Sequence, residues 1–438
     1  MQYSTFAAID IGSYDVILEI FEISKKQGIR SVDKICHRME LGKDTYTLGK
    51  IRPEMEEELC RVLADFVRIM EGYRVDDYRA TASSAISEAS NSLYVLGKIH
   101  QLTGLSVTVL SNSEQRFLSY KALAAMEDNF NKIIEKGTAI LDLDGGSFQI
   151  SLFDKDALVT TQNIRMGSLR IRERLAGIQS ETEHYEEMVE ELIWNEVSSF
   201  KKMYLKDRKI ENIMLIGDVF TDSVYQNIEE KTTKIISREN FNTWYEKIIH
   251  QSPMELAVKL GIPLENASLM YPSAVIYKCL IDMMGAEHIW IPGVHMTRGI
   301  AYEYAEQMKL LKGGHNFEND ILMAAKNIGK RYAVNRPHVQ NLEMTALAMF
   351  DATKKMHGMK ERERLLLQMA VMLHDVGKYI SFNNVADSSY NIIMSNEIIG
   401  LSHIEREMVA LIARYNTVTL PSYDELVMES SLSAEQYL

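Results

Sequence analysis

The sequence predicts an α/β protein with two related lobes, followed by a separate helical domain. Three observations support this prediction. The same hairpin pattern occurs twice, first near residue 10 and again near residue 142. Long amphipathic patterns that are typical of helices lie between the hairpins and after them. Beyond about residue 317 the strand patterns end, and the remaining sequence has almost wholly helical character.

Each hairpin pattern places an aspartate at the end of its first apolar strand. In AAIDIGSYDVILEIFEI this residue is Asp10, and in GTAILDLDGGSFQISLFDKD it is Asp142. A glycine-containing turn and a second strand rich in β-branched residues follow in both cases, as in a β-hairpin. The repetition predicts duplicated α/β lobes. The alternative is two unrelated hairpins that both use aspartate and glycine at the turn.

Two helices are predicted from the spacing of apolar residues. Residues 53–71 begin with Pro53 and an acidic first turn, and Gly72 follows as a stop signal. A second amphipathic pattern runs from about 183 to 203. Both are interpreted as helices that pack on the core. The sequence LKGGHNF, at Leu311–Phe317, is the predicted linker to the helical domain.

Length and composition indicate an ordinary globular protein of several domains. The chain has 438 residues, of which 46% are hydrophobic and 25% charged. No apolar run has membrane-spanning length, and the N-terminus lacks the pattern of a signal peptide. Cys36, Cys60 and Cys279 form no CxxC pair, which is typical of a reduced cytoplasm and predicts no zinc knuckle. We therefore expect a cytoplasmic protein that does not bind membranes.

The net charge of −13 restricts the expected partners. An acidic surface repels nucleic acid and anionic membranes at long range, so neither is an expected partner. It also opposes nonspecific capture of polyphosphate. A local basic cluster could still bind a phosphate-rich ligand, and one is formed by Arg165, Arg170, Arg172 and Arg174.

The two aspartate-tipped turns have the residues that phosphoryl transfer requires. Glycine lets backbone N–H groups approach phosphate oxygens closely, and a carboxylate at a strand end can hold Mg²⁺. The first turn offers Asp10 with Gly12 and Ser13, and the second offers Asp142 with the run Gly145–Ser147. Two such turns that face one cleft would bind a polyphosphate from both sides.

Five motifs occur in the order and spacing of one phosphatase family. They are DIGS at Asp10–Ser13, ASSAISEASN at Ala82–Asn91, VTVLSNSEQR at Val107–Arg116, LDLDGGSFQI at Leu141–Ile150, and NIRMGSLRI at Asn163–Ile171. With these motifs the chain resembles the Ppx/GppA family, the exopolyphosphatases and guanosine pentaphosphate phosphatases. The similarity continues through Gly261–Gly293 and into the C-terminal region, so it covers most of the chain.

The resemblance implies a fold and a division into domains. The expected core is an actin-like pair of duplicated ribonuclease-H-like lobes, formed by residues 1–125 and 126–310. Residues 317–438 are expected to form an all-helical HD-like domain. The resemblance also implies a homodimer.

The resemblance implies roles for residues that match the motifs of the family. Glu114 corresponds to the catalytic glutamate that orients the attacking water. Asp10 and Asp142 correspond to the residues that hold Mg²⁺ and position phosphate. The remaining matches are the expected phosphate-binding residues, namely Gly12, Ser13, Gly145, Gly146, Ser147 and Arg170.

Several positions depart from the pattern of the family. Tyr14 replaces an asparagine, and Ser87 replaces an arginine that contacts phosphate, a loss of about 1.5–3 kcal/mol. Asp144 adds a negative charge to the second loop, and Gln149 replaces a carboxylate. A later glycine-rich loop has become Gly217–Thr221. Together these changes predict weakened hydrolysis.

The C-terminal region carries the beginning of an HD-type metal site. His338 lies in a helical pattern, and LHDVGK places His374 and Asp375 at the end of another helix. Further histidines that the resemblance leads us to expect are absent from Val385–Ile393 and Arg414–Val418. Three ligands form at best a weak divalent-metal site. The alternative is a capped helix pair with a hydrogen-bonded His-Asp doublet.

Two functions follow from this sequence. The first is a Mg²⁺-dependent hydrolase that removes terminal phosphate from inorganic polyphosphate or guanosine pentaphosphate, with weakened activity. The second is a catalytically degenerate protein that senses polyphosphate, a nucleotide or a partner protein. An actin-like structural protein or a sugar kinase is a third, less favoured interpretation, because the ordered motifs point to the phosphatases.

Overall fold

The computed structural model describes residues 4–126, 130–155, 157–176, 185–227, 234–311 and 315–437. The chain divides into two compact units. The first unit contains the residues up to 156 together with 162–315, and the second contains 157–161 together with 316–438. Residues 312–314 of the predicted linker, and 183–184 of the second predicted helix, lie outside the described residues.

The first unit begins with a mixed sheet of five strands. They are β1 (Ser4–Ile11), β2 (Asp15–Ser24), β3 (Gly28–Arg38), β4 (Asp77–Ala82) and β5 (Val107–Val109). Their spatial order is β3-β2-β1-β4-β5. The hairpin strands β1 and β2 are antiparallel, whereas β4 and β5 continue the sheet in the direction of β1.

A second mixed sheet repeats this arrangement. Its strands are β6 (Thr138–Leu143), β7 (Phe148–Asp154), β9 (Asn212–Ile216), β10 (Ile235–Ser237) and β11 (His288–Trp290), and β8 (Ala157–Ile164) follows β7 along the chain. The hairpin β6–β7 is antiparallel, and β9 and β11 run parallel to β6. The run β7-β6-β9-β11 thus has the directions of β2-β1-β4-β5. This shared topology agrees with the duplication that the hairpin patterns predict.

Helices connect and cover the strands of the first unit. In chain order they are α1 (Leu41–Leu48), α2 (Pro53–Tyr73), α3 (Ser84–Ser87), α4 (Ser92–Thr103), α5 (Asn112–Met126), α6 (Phe130–Ile134), α7 (Ser168–Leu175), α8 (Tyr185–Phe200), α9 (Val219–Asn227), α10 (Arg238–Ile249), α11 (Pro253–Leu260), α12 (Leu264–Met284) and α13 (Met296–Gln307). A π-helical turn, Lys201–Leu205, extends α8. The helix predicted over 53–71 is confirmed as α2.

The alternation of side chains along β1 decides which face carries Asp10. Ile9 and Ile11 belong to an apolar cluster with residues of α2 and α4. Phe6 and Ala8 point to the opposite face, where they pack with Ile300 of α13. Because side chains of a strand alternate between faces, Asp10 lies on the α13 face of the sheet.

The second unit is helical beyond residue 316. Its helices are α14 (Phe317–Arg331), α15 (Arg336–His357), α16 (Glu361–Leu373), α17 (Val385–Ser395), α18 (His403–Arg414), α19 (Tyr423–Leu426) and α20 (Ala434–Tyr437). A 3₁₀ turn, Val376–Tyr379, follows α16. An α/β core and a helical C-terminal part are therefore confirmed. Across the described ranges, no helix is both long and apolar enough to cross a membrane.

Helices α5 and α13 approach closely at one glycine. A Cβ atom added to Gly299 would lie 2.1 Å from the carbonyl oxygen of Leu118. Backbone at this distance cannot move aside without shifting a whole helix, so the residue must be glycine. Gly97 in α4 is different, because a Cβ added there meets no atom within 4 Å.

We predict opposite effects of alanine at these two helical glycines. Gly299→Ala should lower the free energy of unfolding by about 1–3 kcal/mol, because it overpacks the α5–α13 contact. Gly97→Ala should raise it by about 0.5–1 kcal/mol, because alanine is the better helix former. Denaturant unfolding of both variants checks this, and equal effects would contradict the proposed close contact.

Candidate active site

A cavity of about 400 Å³ lies where the two hairpins of the first unit meet. Asp10, near the end of β1, and Asp142, near the end of β6, both line it. The two strands occupy equivalent places in their sheets, so their ends bring the two carboxyl groups to one cavity. Gly12, Ser13 and Gly145 of the two turns line it as well.

The first turn is closed by hydrogen bonds within the protein. The Gly12 N–H donates to the Asp15 carbonyl oxygen at 2.8 Å. The Ser13 hydroxyl lies 2.7 Å from the hydroxyl of Tyr46. Tyr14, whose ring is buried, donates from its hydroxyl to Asn266 Oδ1 at 2.8 Å and packs with Leu169. Tyr14 thus fills space at the mouth of this turn and contacts α12.

The second turn has its own carboxylate in place of an external anion. Asp144 Oδ1 accepts hydrogen bonds from the N–H groups of Gly146 at 2.5 Å and Ser147 at 2.9 Å. A Cβ on Gly146 would lie 2.2 Å from the Tyr46 hydroxyl oxygen, so no larger residue fits there. Gly146 and Ser147 are in the expected loop, but their N–H groups are occupied.

Arg116 is the residue of this site that our sequence analysis missed. Its guanidinium donates to Asp142 Oδ1 and to Asp144 Oδ2, both at 2.6 Å, and its side chain is only 5% exposed. The guanidinium also donates to the Ser147 Oγ atom at 3.3 Å. Burial raises the pKa of Asp142, and the adjacent guanidinium opposes that rise. The only sequence signal was the position of Arg116 within the motif that contains Glu114.

Three buried carboxyl oxygens on the cavity wall accept no hydrogen bond of ordinary geometry from the residues that the structure describes. They are Asp10 Oδ1, Asp142 Oδ2 and Asp218 Oδ2. Burial, with smaller contributions from nearby Asp15 and Asp144, raises the pKa of Asp10 well above its usual value. Such oxygens are costly in an apolar interior unless they are protonated or bind a cation.

Asp218 is the second residue that our sequence analysis did not select. Its loop follows β9, the strand beside β6, which brings Asp218 to the cavity. Asp218 Oδ1 accepts from the Thr221 N–H at 3.1 Å and from the Tyr277 hydroxyl at 3.3 Å. Burial raises the pKa of Asp218 to about 7, although polar contacts with the Ser273 hydroxyl, the Thr221 N–H and the Tyr277 hydroxyl oppose the rise. The carboxyl group therefore titrates near neutral pH.

Glu114 has a local structural contact. It lies in the first turn of α5, where Glu114 Oε2 accepts hydrogen bonds from the Ser111 N–H at 2.9 Å and the Ser111 hydroxyl at 2.7 Å. This is the capping-box arrangement of a helix N-terminus. Glu114 is not among the described residues that line the cavity, whereas the next two residues, Gln115 and Arg116, are.

Arg170 is also occupied within the protein. Its Nε donates to the Gly146 carbonyl oxygen at 2.9 Å, and its terminal nitrogen pairs with Glu88 at 3.0 Å. The guanidinium carbon lies 3.9 Å from the centre of the Tyr46 ring. Arg170 thus stabilises the second turn.

Two of the positions that depart from the family pattern lie in different surroundings. Ser87, which precedes Glu88, is exposed. Gln149 is buried, and its side-chain amide donates to the Ser151 hydroxyl.

Basic side chains also line the cavity. Lys34 and Arg38, two residues of β3, are among them, together with His295. Arg38 pairs with Asp15 at 2.7 Å, and His295 lies 3.6 Å from Asp222 Oδ1. Burial lowers the pKa of His295, which favours its neutral ring, although Asp222 opposes that shift. The cavity therefore contains both acidic and basic side chains.

In the second unit, the structure brings together the three expected HD-type residues. Ligand atoms of His338, His374 and Asp375 lie within 4.8 Å of one another, the one such group of at least three metal-ligand residues among the described residues. His374 Nδ1 contacts the Val371 carbonyl oxygen at 2.7 Å. Lys378 Nζ, 2.6 Å from Asp375 Oδ2, competes with any metal for that carboxylate.

Comparison with protein families and curated proteins gives consistent matches. Residues 20–308 match the Ppx/GppA phosphatase family, and residues 322–434 match domain III of the Ppx/GppA phosphatases. The chain is 22% identical to a bifunctional 3-dehydroquinate synthase/phosphatase of Fusobacterium nucleatum over 304 aligned residues. The aligned region is 65% of this chain but only 44% of the length of that protein. It is 19% identical to a guanosine-5′-triphosphate,3′-diphosphate pyrophosphatase of Vibrio atlanticus, over 99% of this chain and 84% of that one.

Solved structures share the fold of the first unit. A Ppx/GppA family member of Aquifex aeolicus has a TM-score of 0.58 and 18% identity, and covers 70% of this chain and 99% of its own. An exopolyphosphatase of Cytophaga hutchinsonii has a TM-score of 0.62 and 17% identity, with coverage of 69% and 98%. At this identity the likeness shows the fold alone, so the α/β core has the fold of these solved structures.

The raised pKa of Asp218 predicts how stability depends on pH. An unfolded aspartate ionises near pH 3.9, whereas Asp218 ionises near pH 7 in the folded protein. Between these two pH values the unfolded state releases the proton more readily than the folded state. As pH rises, this group therefore lowers the free energy of unfolding by up to about 1.4 kcal/mol per pH unit. Asp218→Asn should remove this dependence. Denaturant unfolding from pH 4 to 7 checks it, and parallel curves for variant and wild type would contradict it.

Proposed function

This chain belongs to the Ppx/GppA phosphatase family, and on that premise we propose that it is a phosphohydrolase with weakened activity. Its proposed substrates are inorganic polyphosphate or guanosine pentaphosphate, from which it removes the terminal phosphate. The observation that carries the proposal is the position of Asp10 and Asp142, at equivalent strand ends, on the wall of one cavity.

The cavity has residues that fit a divalent cation, and we propose Mg²⁺. Asp10 Oδ1 and Asp142 Oδ2 are buried oxygens that accept no hydrogen bond of ordinary geometry within the described part of the chain, and carboxylate oxygens are the ligands that Mg²⁺ prefers. A bound cation would supply positive charge that neutralises the phosphate groups. It would also offset the cost of ionising Asp10, whose pKa burial raises.

We assign the positioning of the attacking water to Asp218. Its carboxyl group lines the cavity and ionises near pH 7, which suits a general base at neutral pH. Glu114 is the residue that matches the family motif, but its carboxylate accepts hydrogen bonds from the N–H and hydroxyl groups of Ser111. Gly12 and Ser13 remain the proposed phosphate-binding residues of the first turn, and Lys34 brings a positive charge to the same cavity.

A second function is favoured by one specific observation. The carboxylate of Asp144 already occupies the N–H groups of the second turn, and Arg170 is paired with Glu88. A cleft whose phosphate-binding groups already have partners within the protein suits a sensor that binds phosphate compounds weakly. On this alternative, ligands bind at the first turn and no phosphate is released.

We further propose that the second unit is an HD-like domain with a weak metal site. His338, His374 and Asp375 offer three ligands in close proximity, and Lys378 competes for one of them. The lobe boundaries 1–125 and 126–310 remain our proposal for the first unit, and the HD-like domain is proposed to span 317–438.

Phosphate release from a substrate panel tests the proposed hydrolysis. With Mg²⁺, the protein should release orthophosphate from long-chain polyphosphate or guanosine pentaphosphate. Asp218→Asn should lower turnover by about 10²–10⁴-fold, because the general base is lost. Asp10→Asn should lower it by a similar factor, because the proposed cation loses a carboxylate ligand.

One matched variant separates catalysis from structure. Glu114→Gln preserves a capping side chain and should leave turnover within about threefold of wild type. If Glu114→Gln abolishes release and Asp218→Asn does not, Glu114 is the base and our assignment is wrong. If no substrate is hydrolysed but calorimetry detects binding, the sensor function is supported instead.

A further inference from the structure

The second turn of the cavity has the geometry of an anion-binding loop that already contains an anion. Asp144 Oδ1 lies 2.5 Å from the Gly146 nitrogen and 2.9 Å from the Ser147 nitrogen. These are the distances at which backbone N–H groups hold a phosphate oxygen. We propose that Asp144 is an internal competitor for phosphate at this turn and sets which ligands the cavity accepts.

The other oxygen of the same carboxylate is held equally well. Asp144 Oδ2 accepts from Arg116 at 2.6 Å, and that guanidinium also pairs with Asp142. The side chains of Arg116 and Asp142 are each 5% exposed and that of Asp144 is 26% exposed, so solvent weakens the Arg116–Asp142 pair least. Both oxygens of Asp144 therefore have the partners that two oxygens of a phosphate would require.

The rest of the turn is shaped to keep Asp144 in place. The Asp144 N–H donates to the Ser147 carbonyl oxygen at 3.0 Å, which closes the turn. Arg170 donates to the Gly146 carbonyl oxygen from outside the cavity. A phosphate can use the N–H groups of Gly146 and Ser147 only after Asp144 has rotated away, because two anions at this spacing repel strongly.

A consequence for ligand class follows, and it rests on the proposed function of this cavity. Ligands that need phosphate contacts at both turns must displace Asp144 and are disfavoured. Ligands with one phosphate group at the first turn leave the hydrogen bonds of Asp144 in place. Asp144 thereby selects against chains of phosphate that extend across the cavity, which accounts for weakened hydrolysis without loss of Asp10 or Asp142.

The test is the affinity for inorganic phosphate and for tripolyphosphate, measured by titration calorimetry on the full chain without metal. Asp144→Gly should bind tripolyphosphate about 10- to 100-fold more tightly than wild type, because the N–H groups and one edge of Arg116 become available for charge-assisted hydrogen bonds. Asp144→Asn removes the charge but can still accept the two N–H bonds, so its affinity should lie between the two.

The controls distinguish the specific competition from general charge repulsion. Asp222→Asn removes one negative charge from the same cavity without changing a hydrogen bond of the second turn, and should change the affinity less than threefold. The proposal is overturned if wild type binds tripolyphosphate as tightly as Asp144→Gly, or if Asp222→Asn tightens binding as much as Asp144→Asn. The first result would mean that Asp144 only stabilises the turn. Should Asp144→Gly fail to fold, the comparison of Asp144→Asn with Asp222→Asn decides.

This binding test is independent of hydrolysis. If Asp144→Gly binds tightly and neither it nor wild type releases phosphate, the competitor role is supported and the hydrolase function is wrong. If wild type hydrolyses polyphosphate and Asp144→Gly shows no gain in affinity, the function is supported and the competitor role is overturned.

Discussion

The buried guanidinium of Arg116 is the interaction on which the geometry of the cavity depends. Arg116 extends from α5, which follows the first sheet, and contacts Asp142 and Asp144, which belong to the first hairpin of the second sheet. Removing one partner from a buried ion pair costs about 3–5 kcal/mol, because the other charge is left without compensation. The Arg116 contacts therefore connect the two halves of the core and fix the position of Asp144.

The charges that remain determine what the cavity can do. Arg116 pairs with two other carboxylates, Asp142 and Asp144. Burial raises the pKa of Asp10, although the charges of Arg116 and Lys34 oppose that rise, and it raises the pKa of Asp218 to about 7. Protonation, or a bound cation, would relieve the cost of these groups. If the proposed cation binds here, its affinity should therefore depend on pH near neutrality.

Parts of the molecule that depend on local sequence were predictable. The hairpins with Asp10 and Asp142 at their strand ends, and the helix α2, follow from short-range patterns of apolar residues, glycine and proline. The roles of Arg116 and Asp218 were missed, because each depends on partners far along the chain. Arg116 meets Asp142 across 26 residues, and Asp218 contacts Tyr277 across 59. Asp144 was recognised as a misplaced charge, but its hydrogen bonds to the turn require three-dimensional geometry.

The position of a bound anion tests the central claim most directly. We would determine the crystal structure of the wild-type protein with orthophosphate at a concentration that occupies only the tighter site. The account predicts phosphate at the first turn, near Gly12 and Ser13, with Asp144 still accepting from the Gly146 and Ser147 N–H groups. Phosphate bound to those two N–H groups, with Asp144 rotated away from Arg116, would contradict it.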